Sequence, residues 1–121
     1  MTLLYKDNCE ICKKIISFKN TNNEHFICEL KTGFVVLSEI QFYKGYTLFI
    51  CKKHATELHQ LPSIFISQYL NEMALVAKAV WKTFKPSKLN YELLGNSEAH
   101  MHWHIIPRYK KDPKKNHPIW N

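Results

Sequence analysis

His100-Met101-His102-Trp103-His104-Ile105-Ile106-Pro107-Arg108 alternates histidine with an apolar residue three times before running into Ile-Pro-Arg. Successive side chains of a β-strand point to opposite faces, so this stretch reads as a strand. The three imidazoles share one face, and Met101, Trp103 and Ile105 take the other. Residues two apart on a strand lie roughly 6.5–7 Å from each other, and the outer pair about 13 Å. One metal ion can reach two neighbours of such a trio but hardly all three. The histidines are therefore expected to divide their tasks.

Working outward, Leu89 to Leu94 predicts the preceding strand, joined through Gly95-Asn96-Ser97-Glu98-Ala99. Glycine permits positive φ and close backbone approach, and Asn96 and Ser97 carry hydrogen-bond donors. That loop is either an oxyanion cradle beside the histidines or an ordinary hairpin turn. Leu61, Phe65, Tyr69, Met73, Val76, Val80 and Phe84 recur at steps of three and four, predicting one long amphipathic helix over 61–84. Pro62 suits its first turn and Pro86 ends it, while Met73 and Trp81 are expected in the core. Phe26–Leu30 and Phe34–Leu37 flank Lys31-Thr32-Gly33 as a hairpin, and Tyr46–Cys51 is a further, buried strand. Beyond the histidines, the lysine- and proline-rich segment Tyr109–Asn121 predicts little regular structure. Trp120 within it is expected to pack on the body or on a neighbouring subunit.

The 121 residues suit a single domain, 45% hydrophobic and 22% charged, which is ordinary globular composition. No apolar run reaches the roughly 18–20 residues a bilayer span needs, and no signal-peptide pattern is present. The expectation is a cytoplasmic protein with no membrane partner. Seventeen Lys plus Arg against ten Asp plus Glu give +7, which suits an anionic partner. The excess is scattered, and charge alone does not choose between a phosphorylated small molecule and a nucleic acid.

Cys9 and Cys12 lie three apart, a spacing that pinches one Zn²⁺ from a tight turn. A redox pair is the competitor, although such motifs follow a βα unit for which no room precedes Cys9. A closed tetrahedral site needs two more ligands, and His54 and His100 are the histidines expected at element ends. His25, His59 and His117 fall in connectors. The spacing does not match a nucleic-acid zinc finger, whose histidines lie three to five apart, and nucleic acid is not the expected partner. His102 and His104 then remain for chemistry. A neutral imidazole held by an acceptor is a competent nucleophile towards phosphorus. A second, protonated imidazole can stabilise charge or protonate a departing group. Asn96 and Ser97 can hold developing charge on oxygen. Metal binding by two of the histidines is the alternative.

His100 to Ile106 resembles the histidine triad (HIT) family signature of histidine alternating with apolar residues, without a mismatch. Its context is similar to the bacterial-type zinc-containing branch: Cys9-x-x-Cys12, Lys44-Gly45-Tyr46, Lys52-Lys53-His54, Asn90 to Asn96, Ile106-Pro107-Arg108 and Pro118-Ile119-Trp120 in order, over roughly residues 5–120. The resemblance implies an α+β HIT-like fold, an antiparallel sheet of about five strands with one long helix, in a homodimer. It implies a nucleotide hydrolase or transferase that takes a purine nucleotide or dinucleoside polyphosphate, or a phosphoramidate. His102 would attack the α-phosphorus and His104 would contact the phosphate and assist the leaving group. Structural Zn²⁺ would be held by Cys9, Cys12, His54 and His100. Asn96 with Ser97, Asn90 and, near the ribose, Ser38 or Glu39 would contact substrate. A member that only binds nucleotides or a partner protein is the other implied possibility. Glu98 beside the phosphate loop and Cys51 at a strand end depart from the family pattern.

Overall fold

The computed structural model describes residues 6, 8–20 and 23–120. The expected zinc segment 1–20 is thus answered from Lys6 onward, and its residues 1–5 and 7 lie outside the described part, as do 21, 22 and 121. Five strands form one antiparallel sheet in the order β1-β2-β3-β5-β4: β1 Phe26–Glu29, β2 Gly33–Leu37, β3 Thr47–Cys51, β4 Lys88–Glu92 and β5 His102–Arg108. Two α-helices, α1 Glu10–Asn20 and α2 Ser63–Phe84, accompany it. The α+β class with a five-stranded antiparallel sheet is the expected one.

Helix α2 forms where the apolar period predicts, and Phe65, Tyr69, Val76, Ala77 and Val80 are buried against the sheet. Their facing partners are Val35, Phe49, Leu89 and Ile105, which share one face of the pleat. Each such side chain removed from water contributes about 1.5–3 kcal/mol. The helix starts two residues later than expected, because Pro62 sits at the cap rather than in the first turn and Leu58–Gln60 form a separate short 3₁₀ turn. It stops at Lys85, whose left-handed backbone (φ 51°) precedes Pro86. Met73 packs at the border of the core, whereas Trp81 is 46% exposed. Trp81 follows Val80 by one residue, about 100° around the helix, and so leaves the buried face.

The 11-residue helix α1 was not expected from the sequence. Cys9 precedes it and caps it: the Cys12 amide donates to the Cys9 sulfur at 3.3 Å. Ile11 and Ile15 then bury against Phe34, Val36 and Ile50, on the sheet face opposite α2. Phe18 stacks on Phe26 with ring centroids 5.2 Å apart. Strand β5 begins at His102 rather than His100. Met101 instead bonds through its amide to the Ala55 carbonyl and through its carbonyl to the Cys51 amide, which ties this bend to the end of β3. His100 therefore stands at the mouth of the strand, outside its regular alternation.

Candidate active site and metal centre

In register, Leu48 of β3 and Glu92 of β4 flank His104, and Ile50 flanks His102. The histidines thus occupy the α1 side of the sheet, at the first and third positions of β5. His100, at the strand mouth, is 1% exposed. Its Nε2 lies 2.7 Å from the Cys51 carbonyl oxygen. A carbonyl only accepts, so Nε2 carries the proton and Nδ1 presents a lone pair.

That Nδ1 points into a cluster with Cys9, Cys12 and His54. It lies 3.6 Å from the Cys9 sulfur, 3.5 Å from the Cys12 sulfur and 3.2 Å from His54 Nδ1. Cys12 and His54 are 3.4 Å apart, and all four ligand atoms fall within 4.8 Å of one another. Around tetrahedral Zn²⁺, with bonds of about 2.3 Å to sulfur and about 2.0–2.1 Å to nitrogen, neighbouring ligand atoms stand about 3.3–3.8 Å apart. The cluster has that size and donor set, and it is compatible with a zinc site. Burial, aided by the neighbouring His54 and His102, pushes His100 down to about 4 against the opposing Cys51 bond. Burial also lowers His54 and raises the Cys12 thiol. The imidazoles thus stand neutral, as ligation requires.

His102 Nδ1 lies 2.7 Å from the carbonyl oxygen of His100 and must donate to it. In the neutral ring this bond puts the lone pair on Nε2. The His104 ring sits 4.8 Å from that of His102, closer than the strand repeat because both rings lean. Burial, and secondarily the neighbouring His102, pushes His104 down to about 4. Both effects favour the neutral form of His104. Its Nδ1 meets the Tyr46 hydroxyl at 2.6 Å, and its ring and that of Trp120 meet in a T-shaped arrangement with centroids 5.7 Å apart. The Trp120 indole donates to Glu92 at 2.5 Å, so the tail tryptophan packs on its own subunit's site.

The other expected contacts are spread more widely. Asn96 and Ser97 are exposed in the bend before His100, and Gly95 there has φ +74°. Gly95, Ala99 and His102 line a cavity of about 270 Å³ together with Thr56, Leu58 and His59. Glu98 is exposed. Glu39 is exposed in the β2–β3 loop, where Ser38 receives the Ile40 amide. Asn90 pairs in register with Ile106, one step beyond His104, and its side-chain oxygen accepts from Arg108 at 2.7 Å. The histidine pattern located His102 and His104, and Arg108 follows them at the same alternate spacing, but it did not locate Tyr46 or Glu92. Those depend on how the segment entering β3 and strand β4 lie against β5, which no local spacing encodes.

Residues 19–111 match the HIT domain family. Protein hit of Bacillus subtilis is 33% identical over 114 residues, covering 87% of this chain and 74% of that protein. Adenosine 5'-monophosphoramidase HNT1 of Saccharomyces cerevisiae is 30% identical over 108 residues, 88% of this chain and 63% of its own. The crystal structure of a HIT family member from Bacillus subtilis superposes with a TM-score of 0.78 at 29% identity, covering 95% of this chain and 82% of that one. The family match over residues 19–111 and these relatives define the class as that of histidine triad domains. This chain belongs to the HIT family.

Proposed function

We propose that the protein is a nucleotide hydrolase or transferase that cleaves a nucleoside phosphoanhydride or phosphoramidate at the α-phosphorus. One observation carries the reading: the His100 carbonyl holds the Nδ1 proton of His102, leaving Nε2 as a preoriented nucleophile. Nε2 forms a bond to the α-phosphorus as the bond to the leaving group breaks, and the leaving group departs with the electron pair, as the phosphate anion from an anhydride or, with its nitrogen first protonated by solvent, as the neutral amine from a phosphoramidate. Water then attacks the same phosphorus, its proton passes to solvent, and His102 regains its lone pair as the nucleoside monophosphate leaves. In this reading His104 stands beside the reacting centre, and the amides and side chains of Asn96 and Ser97, exposed in the loop before His100, meet phosphate oxygens. The phosphoramidase activity in the name of the yeast relative supports this class of substrate.

Zn²⁺ held by Cys9, Cys12, His54 and His100 would supply a crosslink between α1, the end of β3 and the mouth of β5. Its tie to chemistry runs through the His100 backbone, which orients His102. A homodimer fits the exposed Tyr91 on edge strand β4 and its neighbour Trp81, 48% and 46% exposed. No helix among the described residues is long and apolar enough to cross a membrane, in keeping with a cytoplasmic site of action.

Mass spectrometry after incubation with adenosine 5'-phosphoramidate or a diadenosine polyphosphate tests the reading. The expected result is an adduct of one nucleotidyl group that disappears in His102→Ala. Bound nucleotide with neither adduct nor turnover in the zinc-replete protein would instead mark a non-catalytic binding module.

A further inference from the structure

Tyr46 is 1% exposed, and its ring stands 5.9 Å from that of His104. Among the described residues, the one hydrogen-bond partner of its hydroxyl is His104 Nδ1, at 2.6 Å. A phenol both donates and accepts, and an imidazole nitrogen does one or the other, so two arrangements exist on paper. In the first, His104 donates from Nδ1 and the phenol oxygen accepts. The phenol proton is then left in the interior with no acceptor, at the cost of a desolvated donor. In the second, the phenol donates to Nδ1, and both groups are satisfied by one bond. The second arrangement places the remaining imidazole proton on Nε2.

Resting on the proposed nucleotidyl transfer, we infer that Tyr46 is a positioning residue that locks His104 as the neutral Nε2–H tautomer and so presents a hydrogen-bond donor to the phosphate or leaving group. The opposite tautomer would aim a lone pair at an anionic substrate. Burial and the nearby Glu92 keep the Tyr46 phenol protonated, so the donor is permanent near neutrality. The loop before Tyr46 holds it in place: the Gln41 amide donates to the carbonyls of Ser38 and Tyr46, and the Ser38 amide also bonds the Tyr46 carbonyl. The three histidines of the strand then hold three assigned protons. His100 carries its own on Nε2 towards Cys51, His102 on Nδ1 towards His100, and His104 on Nε2 towards substrate. His104 helps the leaving group by donating a hydrogen bond; a phosphate leaving group departs as the anion, and an amine leaving group carries a proton that its nitrogen has already taken from solvent.

Nitrogen-15 NMR of the imidazoles in wild type and Tyr46→Phe, with steady-state turnover of adenosine 5'-phosphoramidate, tests the assignment. Wild-type His104 is expected to show a protonated Nε2 and a hydrogen-bonded, unprotonated Nδ1. Tyr46→Phe is expected to gain the Nδ1–H form and to lose kcat by roughly 10- to 100-fold with KM little changed, the pattern of a donor felt mainly in the transition state. A wild-type spectrum with the proton on Nδ1, or a tautomer unmoved by Tyr46→Phe, overturns the inference. The wild-type spectrum decides even should the variant fold poorly. Failure of the wild type to form a His102 adduct would overturn the proposed reaction instead, and the two failures are read from separate measurements.

Discussion

At the scale of single residues, burial sets the protonation of the site. His104 is held at about 4, against an ordinary value near 6.5, first by burial and then by His102. Between those values the unfolded chain binds a proton that the folded chain refuses. Stability is therefore fully present above about pH 6.5 and falls as the pH drops towards 4. Urea midpoints measured from pH 8 to pH 4 should fall less steeply for His104→Gln than for wild type. Parallel curves would show that His104 is not desolvated. Arg108 gives a second prediction. Its side chain and that of Asp112 are only 2% and 3% exposed and join at 2.5 Å, while the guanidinium also reaches Asn90 and the carbonyls of Lys114 and His117. Arg108→Ala strands the Asp112 carboxylate, which that guanidinium holds below its usual range. The expected loss is about 3–5 kcal/mol in chemical denaturation. Because the same residue anchors the tail, Trp120 fluorescence should shift towards that of a solvated indole.

At the scale of elements, α2 and the strands were legible because their apolar periods extend over whole segments. Phe65, Tyr69, Val76 and Val80 fall on the predicted stripe and are buried. Helix α1 was not, because Ile11 and Ile15 are few apolar anchors and the Cys9–Cys12 spacing reads equally as a turn. The strand boundary at His102 was hidden for another reason. His100 and Met101 follow the alternation perfectly, yet tertiary bonds to Cys51 and Ala55 take them out of the ladder. The β2–β3 connection shows how an element's geometry reaches the site. Gly45 adopts φ +91°, and a Cβ there would meet the Phe84 ring at 2.5 Å. Gly45→Ala should cost about 1–3 kcal/mol from backbone strain plus the displaced ring. It should also disturb Tyr46, the next residue, while leaving zinc content unchanged. Wild-type melting behaviour in this variant would show that the loop tolerates an ordinary backbone.

At the scale of the whole molecule, the metal set was readable as a set because ligand chemistry demands four donors and the chain offers two thiols in one turn with histidines at element ends. The fold brings those residues from the start of α1, the segment after β3 and the mouth of β5, up to 91 positions apart in sequence, to within 4.8 Å in space. A metal that binds such a folded cluster more tightly than the unfolded chain adds its binding free energy to stability. Removing it should leave two thiols and two imidazoles crowded with no ion to hold them together, and the loss falls on the packing of α1 against β2 and β3. Chelation, or Cys9→Ser with Cys12→Ser, should therefore remove about one zinc per chain by elemental analysis and lower Tm, on the order of 10 °C or more if the site supplies a few kcal/mol. Amide exchange should rise first in α1. The adduct on His102 should still form at temperatures where the apo chain stays folded, because the acceptor that orients His102 is a backbone carbonyl rather than the metal. Unchanged metal content in the double variant would disprove the ligand assignment. An apo protein that melts like the wild type would show that the sheet and α2 hold the triad without the crosslink.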